Sequence, residues 1–427
     1  MTRKRRPIHW FRIILLIVLI AIAVYVQQVV VPTVPPPFVP TATATRAPAS
    51  YVSDAQQAFD NGKLLQSIEA YNQAIHANPD DPAVYIALAR VQVFAGQYSE
   101  AMVNAQYAIL LSADNSMAHA VLGWAYAQQA DYENAEKSIL RALELDPNNG
   151  VAHAFYAELL GNQYLNNIGP TDAITLAGEE SKVAINLAPN SIEAHRARGY
   201  ILYITANYEQ AVAEYKTAIN INANIPDLHI DLGLTYRALG LTDDAVQEYT
   251  LANTLNPTDT RPNLYASRAL ASVGSYGQAA QYAEGAVTID PTDPYLRGNW
   301  GVMLFKNVDL PNAVIQLSLA VDGGTSEDGQ PIPALVLAPQ DARAIETYYF
   351  YALALAYTRR CDRVLTVAQQ ILASVPLDET AVFNANAAIE ICQEIMLTPS
   401  PTSAVTTTPG TPPTPGITPT PGITPTP

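Results

Sequence analysis

A spacing of 34 residues constrains this chain more than any other feature of its sequence. Prolines show it first: Pro79 and Pro147 lie 68 residues apart, Pro189 and Pro257 another 68, and Pro257 and Pro291 lie 34 apart. The interval from Pro147 to Pro189 is 42, one period with eight residues added. Alanines keep the count at Ala101, Ala135, Ala211, Ala245, Ala279 and Ala313. A second alanine row runs through Ala74, Ala108, Ala142, Ala184, Ala218, Ala252, Ala286 and Ala320. A third row is always small: Ala55, Ala89, Gly123, Ala157, Gly199, Gly233, Ser267 and Gly301. Three rows in one phase specify one supersecondary unit, repeated.

Each row has a packing reason. Antiparallel helices approach closely only where the facing side chains are Gly, Ala or Ser. Proline stops the second helix of a unit and disfavours helix in the residue before it. Gly62, Gly96 and Gly240 mark the turn between the two helices. These rows imply an all-α fold class, built of stacked helix pairs.

The pattern resembles the tetratricopeptide repeat family: Trp-x2-Leu-Gly-x2-Tyr, then Ala-x3-Phe, then Ala and Pro. Ser116–Asn149 carries Leu122-Gly123, Tyr126, Asp131-Tyr132, Ala135, Ala142 and Asp146-Pro147. Pro226–Asp259 carries Leu232-Gly233, Tyr236, Gly240, Ala245, Tyr249, Ala252 and Pro257. The consensus Trp is mostly replaced. The resemblance covers roughly 48–395, as eight units to 322 and a degenerate ninth. It implies a right-handed superhelical solenoid of about eight to nine antiparallel helix pairs, whose concave face binds extended peptides or partner helices. The family's concave positions fall here on Arg90, Trp124, Glu158, Arg196, Tyr200, Tyr203, Arg237, Arg261 and Arg268. Such an Arg/aromatic groove suits an extended peptide with acidic groups; the same residues also suit pairing with neighbouring acids. The family's chaperone-tail clamp needs Lys and Asn residues that the sequence does not supply.

In that repeat geometry Cys361 lies near the start of the ninth unit's second helix, and Cys392 near the end of the next antiparallel helix. A disulfide between them would close a loop worth about 3–4 kcal/mol in the chain-entropy model; two buried thiols are the alternative. Histidines 119, 153, 195 and 229 occupy one place in four consecutive units. Neighbouring units are separated by on the order of two helix packing distances of 8–10 Å, so these imidazoles cannot share a metal and read as packing residues at helix starts. Two segments break the period: Asn162–Asp172 lengthens a turn, and Gly323–Gln340 is a long connection with an apolar run, Ala334–Ala338, that needs a surface to cover.

Charge and composition fix the surroundings. Five basic residues lie in the first twelve positions, and no acid occurs before 51 or after 396. The segment 51–396 carries 17 basic and 39 acidic side chains, a net −22 that repels phosphate backbones and argues against nucleic-acid binding. Two cysteines exclude a multi-cysteine metal site or disulfide framework. No Gly-rich phosphate loop, HExxH or GxSxG is present, so neither enzyme activity nor a cofactor is expected.

Residues 10–31 are apolar enough to cross a bilayer, and the basic tip 1–9 before them should stay cytoplasmic. The segment reads as an uncleaved signal-anchor; Ala21-Ile22-Ala23 also fits a cleavage site, and both readings export the rest of the chain. Residues 32–50 and 397–427 are Pro/Thr-rich spacers that cannot build a core. The repeat domain, 51–396, lies between them. The expected protein is a membrane-anchored, outward-facing scaffold for protein–protein interaction or complex assembly at the cell envelope. In the alternative, the repeats are a spacer and the Pro/Thr tail contacts wall polymer.

Overall fold

The computed structural model describes residues 10–30 and 46–397. The basic tip, most of the Pro/Thr-rich linker and all but the first residue of the tail lie outside the described residues. The chain divides into two compact units, 1–118 and 119–427.

In the first unit, helix α1 (Trp10–Tyr25) continues into a short π-helical stretch, Val26–Val30. Trp10–Gln28 is long and apolar enough to cross a membrane, and none of it is buried. Two helix pairs come next: α2 (Pro48–Asp60) with α3 (Leu64–Ala77), and α4 (Pro82–Phe94) with α5 (Tyr98–Leu111). Pro48 and Pro82 open their helices because proline's fixed φ suits the first turn, where its missing N–H has no partner to lose. Asp81 caps α4 by accepting from Ala83 N at 3.0 Å. Gly62 and Gly96 end α2 and α4 in the left-handed region, at φ 71° and 74°.

The second unit repeats the device. Its pairs are α6 (Ser116–Gln128, all but its first three residues in this unit) with α7 (Tyr132–Leu145), α8 (Gly150–Leu165) with α9 (Ala173–Leu187), and α10 (Ile192–Ile204) with α11 (Tyr208–Ile221). They continue as α12 (Pro226–Ala238) with α13 (Thr242–Leu255), α14 (Arg261–Ser272) with α15 (Tyr276–Ile289), and α16 (Pro294–Lys306) with α17 (Leu310–Asp322). The ninth pair is α18 (Ala342–Tyr357) with α19 (Cys361–Ser374), and α20 (Glu379–Leu397) packs against both. The chain is an all-α solenoid with one two-stranded hairpin among the described residues.

Why the small row must be small is visible atom by atom. A Cβ on Gly123 would stand 2.5 Å from Ile139 Cγ1, one on Gly233 2.6 Å from Tyr249, and one on Gly301 2.6 Å from Leu317. Gly199 meets Tyr215 in the same way, at 2.9 Å. Where the row holds Ala89, Ala157 or Ser267, the residue opposite is Ala105, Ser181 or Ala283, all fully buried. Glycine thus faces a large side chain and alanine or serine a small one, so interhelical volume stays nearly constant. Ala55 against Tyr71 is the exception.

Both breaks in the period acquire structure. Asn162–Leu165 extends α8, and only residues 166–172 form the turn. The connection 323–340 begins as a hairpin pairing β1 (Gly324–Thr325) with β2 (Pro331–Ile332). Ile332 and Leu335 are each 4% exposed; Leu335 N donates to Ala320 O, and Tyr348 Oη donates to Leu335 O. The apolar run therefore covers the end of α17 and the side of α18, although Val336 points outward.

Candidate functional site

The first helices of consecutive pairs supply residues one turn apart, which share a helix face. Helix α8 gives Glu158 and Asn162, α10 gives Arg196 and Tyr200, and α12 gives Asp227 and Asp231. They meet in one constellation. Arg196 Nη2 donates to Glu158 Oε2 at 2.5 Å, and both side chains are nearly buried, at 11% and 8% exposure. The guanidinium lies 5.2 Å from the Trp124 ring centroid, and Trp124 stacks on Phe155 at 4.5 Å. Tyr200 Oη donates to Asn162 Oδ1 at 2.6 Å. Above them opens a cavity of about 160 Å³, lined by Gln128, Glu158, Asn162, Arg196, Tyr200 and Asp231.

The electrostatics of this cluster are set by burial. Desolvation raises the Glu158 pKa despite Arg196 beside it. Burial also opposes the Arg196 charge, but Glu158, Asp231 and Asp227 outweigh it and hold the guanidinium protonated. Asp231 is pushed up to about 7, first by desolvation and then by Asp227 and Glu158, against the opposing charges of Arg196 and Arg261. Among the described residues its carboxylate receives no hydrogen bond and joins no ion pair; only its backbone carbonyl is used, by Thr235 Oγ1.

Several of the residues expected in the Arg/aromatic groove are engaged with partners of their own. Arg90, in the first unit, lies over the rings of Phe59 and Phe94. Trp124 is 1% exposed, so it supports Arg196 from beneath and offers no surface to a partner. Arg196 is occupied by Glu158, and Arg261 by Asp227 and Asp259 at 2.7 and 2.6 Å. Tyr203 packs against Tyr208 with ring centroids 5.8 Å apart. Among the described residues the Arg237 guanidinium makes no hydrogen bond or ion pair, and the Arg268 guanidinium makes only a 3.4 Å hydrogen bond to Asn299 Oδ1. Burial lowers the Arg268 pKa, and the positive charges of Arg343 and Arg237 lower it further, against Glu346. The face is therefore acidic around Asp231 and basic around Arg237 and Arg268.

Asp231 escaped the sequence reading, although a signal was present. Aligned by the period, its row reads Val121, Phe155, Ala197, Asp231, Tyr265, Asn299. One charge in an uncharged row marks a departure from packing.

His153, His195 and His229 build an identical clamp. His195 Nδ1 meets Glu214 at 2.7 Å and its Nε2 meets Pro189 O at 2.8 Å. His229 meets Glu248 at 2.6 Å and Ala223 O at 2.9 Å. His153 meets Glu180 and Pro147 O. Each imidazole ties its own second helix to the link preceding its first. Two periods beyond His229, Arg297 makes the same two contacts, to Pro291 O and Gln316. Asn263, between them in the row, makes neither. The glutamate contact is the main cause raising the pKa of His153 and His195; at His229 burial opposes most strongly, and the Glu248 contact and charge together with the Ala223 carbonyl outweigh it. Among the described residues, no three His, Cys, Asp or Glu side chains gather to hold a metal ion. Cys361 and Cys392 are joined by a disulfide, with Cα atoms 5.5 Å apart.

Family models for the tetratricopeptide repeat match residues 58–103, 116–149 and 226–259, and a further TPR repeat model matches 199–240. These matches identify the segments they cover as tetratricopeptide repeats, units that indicate a protein-interaction scaffold. Human Protein O-mannosyl-transferase TMTC1 is 25% identical over 159 residues, which are 37% of this chain and 17% of that protein. The chain thus spans about a sixth of that relative's length. Among solved structures, the human IFIT1 dimer with PPP-AAAA is 13% identical, covering 82% of this chain and 83% of that one, with a TM-score of 0.51. A tetratricopeptide repeat protein from Parabacteroides merdae is 15% identical, covering 60% of this chain and 98% of its own, with a TM-score of 0.39.

Proposed function

We propose that this protein is a non-catalytic scaffold, anchored by residues 10–31 with the repeats outside the cytoplasm, whose first-helix face receives a segment of a protein partner at the cell envelope. The observation that carries the reading is Arg237. In a repeat segment of net charge −22, it presents a guanidinium with no hydrogen bond or ion pair among the described residues, beside Arg268, which has one long hydrogen bond and no ion pair there. A cation left unpaired among so many acids is available for a carboxylate brought by a partner. The apolar helix and the basic residues before it support the orientation, and the Cys361–Cys392 disulfide suits an oxidising compartment.

The test uses the full chain in detergent. The variant Arg237→Glu with Arg268→Glu should abolish capture of a partner identified on the wild-type protein, while helicity and melting stay unchanged. Equal capture by both proteins would reject this face. Arg196 is unsuitable for such a test, because reversing its charge would break the buried pair with Glu158. For orientation, protease added to intact cells should remove the repeats; protection in intact cells with cleavage after lysis would reverse the topology.

A further inference from the structure

The same face carries a second, oppositely charged feature that Arg237 does not explain. Glu158, Asp231 and Arg196 stand in the cavity wall, and Asp227 and Arg261 are close enough to act on Asp231, which makes three carboxylates against two guanidiniums. Both guanidiniums are engaged, Arg196 with Glu158 and Arg261 with Asp227 and Asp259. Of these three carboxylates Asp231 is left over, in the cavity wall with no donor on its carboxylate among the described residues. A partly buried carboxylate without a donor is costly to keep, and the row it occupies is otherwise filled by uncharged residues that pack. The remaining wall groups, the Gln128 and Asn162 amides and the Tyr200 hydroxyl, bring further acceptor oxygens and no further cation.

We infer that this cavity is a subsite for a primary ammonium group, a lysine side chain or a chain N-terminus of the bound partner, with Asp231 as its counter-ion. An ammonium is a compact cation with three donors, which suits one carboxylate flanked by neutral acceptors. A carboxylate or phosphate ligand is disfavoured, because its neighbours would be the excess acids rather than a free cation. A divalent metal carries twice the charge of an ammonium and would meet twice the repulsion from the Arg196 guanidinium in the wall. The inference rests on the scaffold reading, and adds that the partner segment carries a positive group here and a negative one at Arg237.

The group also titrates in a useful range. Desolvation, Asp227 and Glu158 raise the Asp231 pKa to about 7 while Arg196 and Arg261 oppose them, so a bound ammonium displaces a proton near neutrality. Binding is then weaker at about pH 6 than at about pH 8 by up to about tenfold, since only the ionised carboxylate attracts the cation.

The experiment uses the full chain in detergent, labelled with carboxyl-13C aspartate, and n-butylammonium as the probe. The resonance that disappears in Asp231→Asn identifies the group. Its titration midpoint should fall by at least about one pH unit on saturation with butylammonium and stay in place with butyrate. Asp231→Asn should weaken butylammonium binding at least about tenfold, and Asp231→Glu should restore part of it. Peptide arms separate the two sources: Ac-Ala-Lys-Ala-amide against its acetyl-lysine form, and Ala-Ala-Ala-amide with and without N-acetylation. An Asp231 midpoint that ignores butylammonium, or one that butyrate moves, overturns the inference, as does equal butylammonium binding by wild type and Asp231→Asn. That failure is distinct from failure of the scaffold reading, which is judged by partner capture at Arg237 and Arg268 and needs no ammonium.

Discussion

The middle of the second unit and its C-terminal end are made of the same helix pairs and held together differently. From α8 to α13, ionisable groups penetrate the packing: Glu158 with Arg196, Asp231 beside them, and three His–Glu clamps joining first to second helices. From Leu270 to Cys392, an apolar core runs on through Leu317, Tyr348, Leu355 and Ile371. There the hairpin and the disulfide close the last pair and α20. A terminal repeat has one neighbour and frays unless something else secures it. The middle has neighbours on both sides and can tolerate buried charge, which places the chemically distinctive residues where the scaffold is already supported.

Four changes would break or sharpen this contrast. The largest effect should come from Glu158→Ala, which leaves Arg196 buried without its counter-charge; about 3–5 kcal/mol of destabilisation is expected in denaturant unfolding. Glu158→Gln should cost less, and a loss no greater than that of an exposed ion pair would show the middle to be wetter than its side chains suggest. Next, Cys361→Ser with Cys392→Ser should cost about 3–4 kcal/mol. That loss should appear in hydrogen exchange as early opening of α19 and α20, with α8 to α12 unchanged. A uniform loss of protection would mean that the two regions unfold as one.

Gly233→Ala should destabilise by about 1–3 kcal/mol, because its Cβ would press on Tyr249. Adding Tyr249→Ala to it should cost less than the sum of the two single changes, and additivity would reject volume matching between the rows. The smallest effect is the pH response of the middle. The pKa values of His153, His195 and His229 are raised in the folded state, so the folded form binds protons more tightly there. Their stabilisation is fully present below the unfolded value of about 6.5 and is lost as pH rises through the higher folded values. Asp231, also raised, acts in the same direction. Unfolding monitored at about pH 5.5 and 8.5 should show higher stability at the lower pH for this part of the solenoid. Replacing the three histidines by Gln should reduce that difference and leave the part due to Asp231.

The array was legible in the sequence because its determinants are periodic and local. Proline rows, small rows and turn glycines each act within one helix pair, so counting residues recovers them. The charge of the face was not legible in that way. For Arg196 and Arg261 the sequence left groove binding and pairing with acids both open, and the partners Glu158 and Asp227 lie 38 and 34 residues away on the neighbouring first helices, although Asp259 is local to Arg261. Trp124 looked like a surface aromatic, but stacking on Phe155 removes it from solvent. Asp231 needed both kinds of information, its row and its lack of a partner.

The clamps have a mechanical consequence. Each one fastens a pair to the link before it, so a pulling force on the chain loads several pairs together across His153, His195 and His229, instead of peeling them singly. Asn263 supplies no such fastening before it resumes at Arg297. Between the clamped middle and Arg297, a stretched molecule should therefore yield at the pair formed by α14 and α15, leaving the clamped middle as an intact block.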